Sequence, residues 1–220
     1  YLVNYPYECT EQTLNRFVST GIVSSLFRDY PAVAKMAEEM SRRDTRLETW
    51  DGADANLKMA LEETPWLETA KGGRDAGLPL SRVLDPRVAK AEREASLAKL
   101  AKAQTASGGF PWWPGGPPST YMTVYILHGF ANALEFGAEV PRDMVLKAWG
   151  YAGKEVRREL DECMALDRDF CHFATFVNYT LSSYPDESWY KPTFDAAYRK
   201  KLLDYSFSHW KVHPPYLKGQ

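Results

Sequence analysis

A thiol and a primary carboxamide stand three residues apart in Cys9-Thr10-Glu11-Gln12, where the chain enters an amphipathic stretch. A helix starting here carries both groups on one face, within covalent reach of each other. Attack of the Cys9 sulfur on the Gln12 side-chain carbonyl, with loss of ammonia, would close an internal thioester. Sulfur donates poorly into a carbonyl, so the product is an activated acyl group that an amine, a hydroxyl or water can open. The unpaired N–H groups of a first helical turn would stabilise the oxyanion of the tetrahedral intermediate. The plainer alternative is a lone cysteine that happens to precede a helix with a glutamine three residues on, and spacing alone does not separate the two.

The elements that must position these groups are helical almost throughout, and no run of period-two alternation is long enough for a strand. Leu14, Phe17, Val18, Ile22 and Leu26 repeat at three and four and predict an amphipathic helix from about Glu11 to Phe27. Pro31 opens a second, to about Arg43, with Val33, Met36, Ala37 and Met40 on one side. Between Thr45 and Leu80 glycines and prolines break the pattern, and only Asp54 to Glu63 reads as helix. Asp85-Pro86 is a cap with a first-turn proline ahead of an alanine-, lysine- and glutamate-rich helix to about Ala103.

Gly108 to Pro118 packs four glycines and four prolines around Phe110, Trp112 and Trp113, which demands an ordered turn. Helices follow over about Ser119 to Phe136, Pro141 to Met164, Phe170 to Leu181 and Phe194 to Trp210, and Pro214 to Gln220 reads as the start of another. The short Gly137 to Val140 connection makes its two helices antiparallel neighbours. The class is all-α. Successive hairpins without a fixed repeat length favour a ring of paired helices over a solenoid.

Composition narrows the function. A formal charge of −2 over 220 residues gives no sequence-wide field for nucleic acid or an anionic bilayer. No apolar run approaches the roughly 20 residues that cross a membrane. Three cysteines are too few for a disulfide scaffold and too scattered for a zinc site. A turn near Asp167 would bring Cys163 and Cys171 within disulfide distance, and two free thiols are the equal alternative. No metal or cofactor is implied.

Tyr5-Pro6-Tyr7-Glu8-Cys9-Thr10-Glu11-Gln12-Thr13 resembles the thioester signature of the alpha-2-macroglobulin and complement family, above all its bacterial branch. Glu62-Glu63-Thr64-Pro65-Trp66, the turn Gly108 to Gly116 followed by Tyr121-Met122-Thr123, and Ser206 to Gln220 resemble further blocks of those bacterial proteins. The resemblance spans nearly the whole chain. It implies that Cys9 and Gln12 form the bond and that the fold is an α/α toroid. The ring would be incomplete, because the family's continues past the equivalent of Gln220. The parent chain would add further macroglobulin domains and lie outside the cytoplasm, in the bacterial periplasm, on the cell envelope or secreted. Its partners would be proteases captured covalently through a surface lysine, in a stoichiometric and non-enzymatic reaction.

Tyr5, Tyr7, Glu11, Trp112, Trp113 and Tyr121 are candidates for the pocket that walls the bond off from water. Glu8 departs from the family, which usually has glycine before the cysteine, and sets a charge beside the bond. Complement members use a downstream histidine as acyl acceptor, but the surroundings of His128 match the helix after the glycine-aromatic turn and not that motif. A core or helix-surface histidine is the default reading. The alternatives are an α/α-toroid hydrolase or lyase using carboxylates such as Asp51, Asp54, Asp167 and Asp169, a Cys–His hydrolase built on Cys9, or a binding module with a vestigial motif.

Overall fold

Caps and first-turn prolines set where the helices begin. The computed structural model describes residues 8–41, 86–165, 171–191, 193–212 and 215. The helix expected over Asp54 to Glu63 and the helix start expected over Pro214 to Gln220, Pro215 apart, lie outside these residues, as do Tyr5 and Tyr7. The described helices are α1 (Thr10–Asp29), α2 (Pro31–Ser41), α3 (Pro86–Ala103), α4 (Thr120–Glu135), α5 (Arg142–Ala165), α6 (Cys171–Ser182) and α7 (Ala196–Ser208). Proline opens α2 and α3, where its missing N–H costs nothing. Ser119 caps α4 by accepting from the Met122 N–H, and Asp195 caps α7 by accepting from the Tyr198 N–H. The fold is all-α. Among the described residues the sheet is one two-residue antiparallel ladder, β1 (Phe110–Pro111) with β2 (Pro118–Ser119), which closes the glycine-aromatic turn.

Helix α4 lies at the centre. Met122, Val124, Ile126, Leu127, Phe130, Ala131 and Ala133 are buried around most of its circumference, as expected of a helix covered on several sides. It packs against α1, α5 and α6, while α1 also lies along α3, and α6 along α7. The α4–α5 pair is the hairpin that the short connection predicts. On α5 the fully buried Trp149 presents its ring to the edges or faces of Tyr184, Tyr190 and Phe194, with centroids 5.4–6.0 Å apart, so the segment after α6 folds back over α5 as an aromatic lid.

The buried side of α1 differs from the expected stripe. Leu14 and Phe17 are buried, but Ile22 is only half-buried and Leu26 is exposed; the inward face continues instead through Thr20, Gly21 and Ser25. Small side chains win here because α1 approaches its neighbours closely. A Cβ on Gly21 would sit 3.3 Å from that of Ala138, and one on Gly129 of α4 would meet Leu14 carbons at 2.5–2.8 Å. Counting apolar residues places the stripe on the wrong side of the last two turns. On α2, Ala37 is buried while Met36 is exposed.

Candidate functional site

The first turn of α1 brings Cys9 and Gln12 together through a reciprocal pair of hydrogen bonds. Cys9 is the N-cap, in extended conformation, and its Sγ accepts from the Gln12 N–H at 3.4 Å. The Gln12 side chain turns back, and its Oε1 accepts from the Cys9 N–H at 3.1 Å. This is a capping box with sulfur in the place of the usual oxygen. Two consequences follow for chemistry. The carboxamide of Gln12 is turned back onto the residue that carries the sulfur, and the Cys9 N–H already donates to the carbonyl oxygen on which charge would develop during acyl transfer. Cys9 is buried at 8% exposure and Gln12 half-buried.

The turn that follows α3 completes the cap. The Thr10 N–H donates to the Trp112 carbonyl at 3.0 Å, and the Thr13 N–H and Oγ1 both donate to the Cys9 carbonyl. Gly108 makes this turn possible: its φ of 93° is left-handed, and a Cβ there would run into the Lys147 carbonyl. The Phe110 N–H donates to Thr123 Oγ1, which pins the turn to α4.

Glu8, the charge that breaks with the resembling signature, is neutralised from two elements. Arg16 of α1, itself buried, reaches Glu8 Oε1 at 2.6 Å, and Lys99 of α3 reaches both carboxylate oxygens at 2.7 Å. The Lys99 hydrogen bond holds the Glu8 carboxyl below the usual carboxylate range; burial opposes it, and the Arg16 hydrogen bond and the charges of both cations add to the lowering. The residue before the sulfur is therefore clamped between two helices. Nothing in the local sequence signals this, because Lys99 lies far along the chain.

The expected pocket residues divide. Trp112 joins the site through its carbonyl, and its ring stacks on Tyr121 at 6.0 Å with planes 11° apart. Tyr121 in turn contacts Tyr125, Phe173 and Phe176. Yet Trp112 is 44%, Tyr121 48% and Trp113 60% exposed, so these rings form an open shelf and not a wall. Trp113 faces solvent because it occupies the tip of the turn beyond the β ladder. Glu11 is half-buried on α1.

Tyr125, which sequence reasoning passed over as a site residue, donates its hydroxyl to Asn15 Oδ1 at 3.3 Å and so lies against α1 one turn from Glu11. Burial raises its phenol first, and the charges of Glu11 and, more weakly, Cys9 add to this. Its position four residues after Tyr121, on the same face of α4, was the available signal.

His128 follows Tyr125 by one turn, with its ring against Phe176 and Tyr179. Its Nε2 lies 3.3 Å from the Asn132 amide and its Nδ1 is buried without a partner. Burial lowers its pKa. This is a histidine packed between α4 and α6. Cys163 is a half-buried free thiol, so of the two alternatives the structure does not hold the disulfide; the side chain of Cys171 lies outside the described residues. Asp51, Asp54, Asp167 and Asp169 also lie outside them. Among the described residues no cluster of three His, Cys, Asp or Glu could hold a metal ion, and no helix is long and apolar enough to cross a membrane. The chain matches no protein-family model, no curated protein and no solved structure.

Proposed function

We propose that this chain is the thioester domain of a bacterial alpha-2-macroglobulin-like protease trap, acting outside the cytoplasm. The observation that carries the reading is the reciprocal Cys9–Gln12 capping box, which sets nucleophile, carbonyl and oxyanion donor in one helical turn. In the forming step the Cys9 sulfur adds to the Gln12 carbonyl carbon, the Cys9 N–H holds the charged oxygen, and the C–N bond breaks. Ammonia leaves with the thiol proton. In the capture step a lysine amine of an attacking protease adds to the same carbon and the C–S bond breaks. An amide remains, and a proton from the amine ends on the Cys9 thiol.

The Glu8 clamp supports the reading because it cancels the charge next to the reacting atoms and fixes the entry of the chain. The open aromatic shelf fits a site meant to be covered by another macroglobulin domain of the parent chain. Closure of the α-hairpins into an incomplete toroid belongs to the same proposal. The reaction is a single stoichiometric acylation rather than turnover, and among the described residues Sγ is engaged by a backbone N–H and by no imidazole.

The test is capture. The parent protein, treated with an endopeptidase, is expected to yield an adduct stable to denaturant, with one Gln12-to-lysine amide cross-link found by peptide mass spectrometry. The adduct should be absent in Cys9→Ala. Repeated turnover of a chromogenic ester dependent on Cys9, with no adduct, would make the chain a hydrolase. Neither adduct nor turnover would leave a binding module with an inert motif.

A further inference from the structure

Two carboxylates flank the sulfur in sequence, and the structure treats them differently. Glu8 takes two cations, Arg16 and Lys99, whereas among the described residues no cation pairs with Glu11. The aromatic rings show a parallel contrast. Arg142 lies over Trp189 at 4.8 Å, Arg157 over Tyr198 at 3.8 Å and Arg199 over Tyr190 at 5.1 Å, while among the described residues no cation lies over the Trp112–Tyr121 stack. That stack is close to half exposed, and Tyr125, Phe173 and Phe176 hold the Tyr121 ring in place. The Trp112 carbonyl bond to the Thr10 N–H and the Tyr125 bond to Asn15 fix it along the face of α1 that carries Glu11.

An uncompensated carboxylate on the helix face along which half-exposed rings are fixed attracts a cation with an apolar stem: the ring quadrupole and the carboxylate both favour positive charge, and the exposed parts of the rings cover the methylenes. We propose that Glu11 and the Trp112–Tyr121 stack bind a protonated alkylamine, the lysine side chain of the protein to be captured, and thereby select amines among the nucleophiles that open the bond. The selection step rests on the thioester reading; the cation site does not. Binding raises the local concentration of the amine. The bound ammonium must release its proton to solvent before its nitrogen lone pair attacks the Gln12 carbonyl carbon. The C–S electrons then leave on Cys9 sulfur, which takes up a proton, and the products are an amide and a free thiol.

Tetramethylammonium, a cation that cannot acylate, separates the two ideas. In the full chain it is expected to shift the Trp112 indole N–H resonance saturably, and to lose most of that shift in Glu11→Gln and in Tyr121→Leu. In thioester-bearing parent protein, opening by methylamine should slow about five- to tenfold in either variant, while opening by hydroxylamine, largely uncharged at pH 7, stays within about twofold. Equal slowing of both nucleophiles, or no saturable shift in the unsubstituted chain, overturns the proposal even where the thioester is present. A saturable, Glu11-dependent shift in a chain that never forms the thioester keeps the cation site and removes the thioester reading. Should Tyr121→Leu fail to fold, Glu11→Gln, which changes charge at constant shape, decides alone.

Discussion

Helices α1 and α4 both begin on an extended residue whose side chain accepts from the backbone N–H three residues on, but with different atoms. At α4, Ser119 Oγ accepts from the Met122 N–H at 3.3 Å, and the next side chain, Thr120, donates to Glu159 at 2.7 Å. At α1, Cys9 Sγ accepts from the Gln12 N–H at 3.4 Å, and the Thr10 hydroxyl that follows is buried with no partner. One turn, residues 108–119, serves both: it supplies the Trp112 carbonyl to α1 and Ser119 to α4. A serine caps better than a thiol because oxygen is the stronger acceptor. The start of α4 is built for stability. The start of α1 has a weaker acceptor in the cap, offset by the second bond from the Cys9 N–H to Gln12, and leaves a hydroxyl unpaired; the proposed chemistry would account for sulfur in that place.

Four substitutions break or sharpen this contrast. The largest effect falls where the two helices touch. Gly129→Ala forces Leu14 away from α4 and should cost about 1–3 kcal/mol, read as a lower denaturation midpoint; retention of full stability would mean that the α1–α4 approach is looser than the structure has it. Ser119→Ala removes an oxygen cap and should cost about 1 kcal/mol in the same measurement.

His128 gives a pH-dependent effect of smaller size. Its folded pKa is lowered by burial, so below about 6.5 the unfolded chain binds a proton that the folded chain does not. Stability should be fully present above that pH and decline as pH falls through it, until the folded imidazole itself is protonated. His128→Gln should flatten this part of the profile, followed by circular dichroism across pH 5 to 7. A profile unchanged by the substitution would show that His128 is not the group responsible.

The smallest expected change in stability belongs to Cys9→Ser. Oxygen replaces sulfur in an intact capping box, so the midpoint should move by less than about 0.5 kcal/mol, yet all amine reactivity should vanish. A loss above about 1 kcal/mol would make the thiol a structural part of the cap, and amine reactivity retained by the serine variant would make its chemistry incidental.

Local signals were legible in the sequence where one helix decides the matter. The Pro31 and Pro86 starts, the turn enforced by Gly108 to Pro118 and the Cys9–Gln12 face all follow from neighbours within a few residues. What the sequence did not show is how helices face one another. The inward rotation of α1 onto Gly21 and Ser25, the Lys99 bond to Glu8 and the Tyr125 bond to Asn15 are cross-helix facts, and a single helix period carries no information about its partner. Trp113 misleads for the same reason: a large aromatic in a tight turn reads as buried until the β1–β2 ladder puts it at the exposed tip.

The central claim is that sulfur and carboxamide condense, and weighing the intact parent protein after gentle purification tests it most directly. The account predicts a mass short by one ammonia, restored upward by reaction with methylamine at Gln12, and no deficit in Cys9→Ala. A full theoretical mass together with a Cys9 thiol that titrates freely before any amine is added would contradict it.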